Sequence, residues 1–147
     1  MLDEAWSRMG QGLGTLVRYA DDFVVLTSTR ARAVEAKARI EEVLAPLGLH
    51  LHPDKTRISC LQRGQESFVF LGFEHRVRES GKHRGYWYLN KWPSPRAMAS
   101  IKAKVRERTA RRWASLPVEE VVGSLNSVLR GWGAYFAVGN SSAKFHA

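Results

Sequence analysis

Tyr19-Ala20-Asp21-Asp22 separates two runs that read as β-strands, residues 15–19 and 23–27. The second, Phe23-Val24-Val25-Leu26, is apolar and β-branched, as a buried strand should be. A tight turn between them makes a hairpin and places both carboxylates at the tip of a rigid sheet. Two adjacent acids there suit Mg²⁺, which takes few carboxylates, keeps several waters and draws its remaining ligands from phosphates. That is the equipment of nucleotidyl transfer. A plainer reading stays open at this point, because aspartates favour tight turns for backbone reasons alone.

Downstream, Ser28 or Thr29 is placed to cap a helix, and Ala33, Ala36, Ile40, Val43, Leu44 and Leu47 recur at helical spacing. Pro46 predicts an end near Leu44, and Gly48 suits a left-handed cap. Residues 49–52 alternate like a strand, Pro53-Asp54-Lys55 makes a turn, and 56–61 reads as a further strand. A polar loop, 62–67, leads to an apolar run over 68–73, and 85–89 closes the region as another strand. The order predicts an α+β layer, one helix packed on an antiparallel sheet. Gly10, Gly12 and Gly14 lack the strand and helix a phosphate loop requires and read as a flexible connection.

Composition changes at Lys91-Trp92-Pro93-Ser94-Pro95, which predicts a boundary between a domain of residues 1–91 and one of 92–147. Ser94 as cap and Pro95 in the first turn start a helix expected over 95–113. On it Lys104, Arg108 and Arg111 run as a basic stripe. A second helix starts near Pro117, with Leu125, Leu129, Trp132 and Phe136 on its apolar face. Gly131 and Gly133 inside it predict close backbone packing or a helix end.

The net charge is +9. Residues 1–73 hold nine Lys/Arg and nine Asp/Glu, whereas 74–147 hold fourteen and five, so the excess lies wholly in the second half. With aromatics interleaved, that asymmetry points to nucleic acid, and Lys102, Lys104, Arg108, Arg111, Arg112 and Arg130 are the candidate RNA contacts. The bland alternative is a solvated basic face. No apolar run approaches the roughly 18 residues of a membrane span. The first residues show no secretory signal. One cysteine, Cys60, fits a reducing cytoplasm. His50, His52 and Cys60 lack the spacing of a zinc site.

Four blocks together resemble the reverse transcriptase–maturase proteins encoded by group II introns. They are Leu16-Val17-Arg18-Tyr19-Ala20-Asp21-Asp22-Phe23, then residues 47–56 through Lys55, then Phe70-Leu71-Gly72-Phe73, then residues 125–136 from Leu125-Asn126 to Tyr135-Phe136. They follow the family's order and cover nearly the whole chain. The resemblance implies a partial polymerase palm, from catalytic hairpin to primer grip, followed by part of a helical thumb or maturase domain. It implies that Asp21 is a catalytic magnesium ligand, with Asp22 assisting. Lys55 lies near the leaving pyrophosphate or is a solvent-exposed turn lysine. Tyr19 lies near the primer end or incoming nucleotide, and Phe70, Leu71, Gly72 and Phe73 form a primer-grip hairpin under the primer strand; for those four an ordinary core strand is the other reading, and both can hold. The implied partners are group II intron RNA and, in an intact enzyme, a DNA primer or target and dNTP.

The departures count too. The family takes another essential aspartate from an earlier palm strand, and residues 1–19 offer no such strand. The chain therefore reads as an internal segment, with a separately encoded N-terminal half as a possible partner. Whether it is itself an enzyme or an RNA-binding remnant stays open.

Overall fold

The computed structural model describes residues 2–141. Among them are four α-helices and two antiparallel sheets, an α+β fold. Packing divides the chain into two compact units, Met1–Cys60 and Leu61–Ala147.

In the first unit, α1 (Leu2–Met9) precedes the hairpin of β1 (Thr15–Tyr19) and β2 (Asp22–Leu26), with α2 (Arg30–Leu44) following. The strands pair in register from Thr15 opposite Leu26 to Tyr19 opposite Asp22, leaving Ala20 and Asp21 as a two-residue turn. The glycine stretch is a hydrogen-bonded turn. Gly10 N–H donates to Trp6 O at 2.8 Å, and the Trp6 indole N–H donates to Gly14 O at 3.3 Å. The Thr29 hydroxyl caps α2 by accepting from Arg32 N–H at 3.2 Å. The helix ends at Leu44, a 3₁₀ turn follows, and Gly48 closes it at φ 69°. Ala36 and Ile40 of α2 are the buried apolar residues of this unit. The second strand is less buried than its composition predicts: Phe23, Val24 and Val25 are half-buried and Leu26 is exposed. A two-stranded sheet with a helix on one face leaves its other face open.

Residues 49–52 and 56–61 do not form strands. The segment instead turns at His52, whose carbonyl accepts from Lys55 N–H at 3.2 Å and Thr56 N–H at 2.9 Å. Alternation alone makes no strand where no neighbouring strand supplies its hydrogen bonds.

The second unit holds a sheet in the order β3 (Ser67–Phe70), β4 (Phe73–Glu79), β5 (Trp87–Pro93). The apolar run over 68–73 is thus two strands, with Phe70 opposite Phe73 across a turn of Leu71 and Gly72 at φ 50° and 77°. Two consecutive positive φ values define the type I′ turn that matches the twist of a hairpin. A β-carbon on Gly72 would also meet the Phe136 ring at 3.4 Å. β5 runs on through the composition change to Pro93, and Ser94 N–H then donates to Gly72 O at 2.8 Å.

Ser94 caps α3 (Pro95–Arg108) by accepting from Ala97 N–H at 3.2 Å. The helix stops five residues before the expected Trp113. The Thr109 hydroxyl donates back to Val105 O at 2.9 Å, and Arg111–Trp113 forms a separate 3₁₀ turn. α4 (Val118–Phe136) runs unbroken through Gly131 and Gly133, where an added β-carbon would meet nothing within 4 Å. Close packing does not account for those glycines; the expected helix end comes at Phe136, just past Gly133. Phe73, Trp92, Ile101 and Phe136 are buried, with the Phe73 and Phe136 rings 4.8 Å apart. Beyond α4, Asn140 N–H donates to Lys91 O at 2.8 Å, tying the chain back to β5. Residues 142–147 of the expected second domain lie outside the described residues.

One row of this sheet gives a pH-dependent stability. His75 lies opposite Phe68 on β3 and Lys91 on β5, with its ring stacked on Phe68 at 4.8 Å. Burial first, and the Lys91 charge second, hold the His75 imidazole below its ordinary value of 6.5. The fold therefore prefers the neutral ring, and as pH falls the unfolded chain takes up the proton first. This contribution is fully present above about pH 6.5 and is lost as pH falls towards the lowered folded value. Denaturant midpoints of the natural chain and His75→Phe, compared from pH 8 to 5, should diverge on the acid side. A difference that does not change with pH contradicts this.

Candidate functional site

The two carboxylates lie where the hairpin turns. Asp21 is a turn residue and Asp22 the first of β2, and both are exposed. Asp22 and Tyr19 are directly paired, so they share a face of the hairpin. Tyr19 is 65% exposed on that face. Ala20 holds φ 52°, a left-handed conformation that costs a residue with a β-carbon roughly 1–2 kcal/mol.

A brace compensates. Arg18 donates through Nη1 to Ala20 O at 2.8 Å, and through Nε at 2.8 Å and Nη2 to the Asp3 carboxylate. The hydrogen bond from Arg18 holds the Asp3 carboxyl below the usual carboxylate range. The first helix, the strand and the turn are thereby joined at the base of the acidic tip. The sequence reading missed this role of Arg18 and Asp3, since fifteen residues separate them and no spacing pattern links the two.

Among the described residues no third His, Cys, Asp or Glu joins Asp21 and Asp22. Two carboxylates fit one Mg²⁺ whose other ligands are waters and substrate phosphates. A two-metal arrangement needs more. Lys55 stands exposed on its own turn, and no hydrogen bond or ion pair joins it to the carboxylates among the described residues.

The other candidates lie in the second unit. Phe70, Leu71, Gly72 and Phe73 are seated against the end of α4. The Tyr135 hydroxyl donates to Leu71 O at 2.9 Å, and Phe73 packs on Tyr135 and Phe136. Phe73 is a core residue, with Lys91 Nζ 4.6 Å above its ring. The six basic candidates are all exposed: Lys102, Lys104 and Arg108 on α3, Arg111 and Arg112 in the 3₁₀ turn, Arg130 on α4. They do not form one helical stripe, because α3 ends at Arg108.

Two of the six are partly committed within the protein. Arg108 donates to the Ser124 hydroxyl of α4, and Arg112 lies 3.6 Å from Glu107 and over the Trp113 ring. The side chains of Lys102, Lys104, Arg111 and Arg130 make no hydrogen bond or ion pair among the described residues. Lys104 rims a cleft of about 460 Å³ between α3 and α4, floored by Ile101, Val128, Trp132 and Phe136. A cation beside an apolar, aromatic floor is suited to a phosphate with its base.

Residues 2–75, which include the acidic turn, match the family model of reverse transcriptase (RNA-dependent DNA polymerase). Residues 98–147, with α3, α4 and their cations, match that of the group II intron maturase-specific domain. The chain belongs to the group II intron reverse transcriptase–maturase family. A relative in Schizosaccharomyces pombe, an uncharacterized 91 kDa protein in the cob intron, is 27% identical over 144 residues. The alignment covers 88% of this chain and 18% of that protein, so the chain spans less than a fifth of the relative's length. No solved structure matches this reverse transcriptase–maturase chain. Among its described residues, no helix is long and apolar enough to cross a membrane.

Proposed function

We propose that residues 1–91 form part of a polymerase palm and that 92–147 form part of a maturase thumb that grips group II intron RNA. The observation that carries this is a set of exposed cations, four of them without a protein partner among the described residues, on the segment that matches the maturase-specific domain. RNA binding of this kind needs charge and shape and no chemistry.

In the palm, Asp21 holds magnesium when the metal is bound, and Asp22 shares its face with Tyr19 beside the primer end. Magnesium there supplies charge stabilisation for nucleotidyl transfer on a dNTP. Lys55 serves the leaving pyrophosphate, as a cation near developing charge can. The Phe70–Phe73 turn supports the primer strand, while Phe73 also anchors the core. Two carboxylates suit one metal, and two-metal polymerisation needs a further carboxylate that the described residues do not place beside them. A cytosolic setting fits its single, exposed cysteine.

Neutralising Lys102, Lys104, Arg111 and Arg130 to Gln tests the grip. Each lost phosphate contact removes roughly 0.7–0.9 units of log–log salt slope. The fourfold variant should flatten the slope by about three units and weaken binding to a structured intron RNA about a hundredfold at low salt. Unchanged affinity and slope would make these four cations a solvated face and nothing more.

A further inference from the structure

The β4–β5 hairpin carries a second basic surface that α3 and α4 do not share. Its connecting loop, 80–86, is tied by its own polar groups. The Ser80 hydroxyl accepts from Lys82 N–H at 3.3 Å and His83 N–H at 3.2 Å. Glu79 Oε1 accepts from Gly85 N–H at 2.6 Å. Tyr86 N–H donates to His83 O at 3.1 Å, and Ser80 N–H to Tyr86 O at 2.8 Å.

This ordering spends the nearest acid, Glu79, on backbone. Lys82, His83 and Arg84 are left exposed, with no side-chain hydrogen bond or ion pair among the described residues. Beside them Tyr86 is 61% and Trp87 39% exposed. β4 has seven residues, so at about 3.3 Å each the tip lies roughly 20 Å along the sheet from Phe73, where α4 packs.

We infer that the β4–β5 hairpin tip binds single-stranded RNA, with Lys82 and Arg84 on phosphates and an unpaired base stacked on Tyr86. Charge complementarity selects a polyanion. The flat, exposed aromatic beside the cations selects one that carries bases, since base–aromatic stacking tolerates any sequence. The loop is pre-ordered, so little freedom is lost when it binds. The inference rests on the RNA reading above for the polyanion's identity, but its residues are separate from those of the helices.

The test uses the full chain and a twelve-nucleotide oligouridylate carrying one 4-thiouridine, with crosslinks mapped by mass spectrometry. Crosslinking at Tyr86 or Trp87 is expected. Lys82→Gln with Arg84→Gln should flatten the salt slope by about 1.4 units. Tyr86→Ala should weaken binding about tenfold with the slope unchanged, and Tyr86→Phe should restore it. Crosslinks confined to residues 102–130, with natural affinity in these variants, overturn this inference and leave the helical grip standing. Crosslinks confined to the hairpin support it. No binding of the oligonucleotide overturns it.

Discussion

Asp21→Asn abolishes RNA-templated primer extension once the chain is combined with a polypeptide supplying the earlier palm strand and its aspartate. The natural chain is expected to extend a primer in that mixture with Mg²⁺, and to extend none alone. The hairpin presents Asp21 at an exposed two-residue turn, braced by Arg18 on the Ala20 carbonyl. Removing its charge takes a ligand from the metal, which is worth several kcal/mol of transition-state stabilisation. At about 1.4 kcal/mol per tenfold, the rate should fall about a thousandfold or more. The fold should not suffer, since two adjacent carboxylates repel without a cation between them. Extension by the variant at the natural rate, in the same mixture, would remove Asp21 from the catalytic centre.

Phe136→Ala is expected to have the largest effect on stability. Phe136 is buried at the end of α4, with Phe73 at 4.8 Å, Trp132 at 4.7 Å and Tyr135 at 4.8 Å from its ring. Losing a buried phenylalanine costs about 3–5 kcal/mol. A unit of this size is stabilised by roughly 0.05–0.15 kcal/mol per residue, so most of its margin goes. The melting temperature of the second unit should fall by roughly 15–30 °C. Phe136→Leu, which keeps most of the volume, should lose much less. A fall of only a few degrees in Phe136→Ala would mean the β3–β4 turn does not depend on α4.

What could be read from the sequence was mostly local. The hairpin around Asp21-Asp22, the Thr29 cap, the Gly48 stop and the Ser94-Pro95 start each rest on a few neighbouring residues. So does α4, whose apolar spacing is regular. The family blocks added the Phe70–Phe73 hairpin, which the apolar run by itself made a single strand. The failures were non-local. β4 carries Glu74, Arg76, Arg78 and Glu79 and shows no strand composition; its pairing with β5 is secured by the Trp92 indole donating to Glu74 at 2.9 Å and by Arg78 stacked on that ring at 4.6 Å. Residues 49–52 alternate and 56–61 read as a strand, but neither finds a strand to pair with. The end of α3 depends on Thr109 bonding back and on the Trp113 indole donating to Glu107 O at 3.0 Å. At the acidic turn the two aspartates were plain to read, while the Asp3–Arg18 brace beneath them was not.

Whether this chain grips RNA is tested most directly by titrating the natural chain with a structured RNA stem-loop from 50 to 300 mM salt. With four uncommitted cations on α3, α4 and the turn between them, the log–log slope should be about −3 or steeper, and affinity should fall about a hundredfold between 50 and 200 mM. A flat slope, or no binding at 50 mM, would contradict that grip.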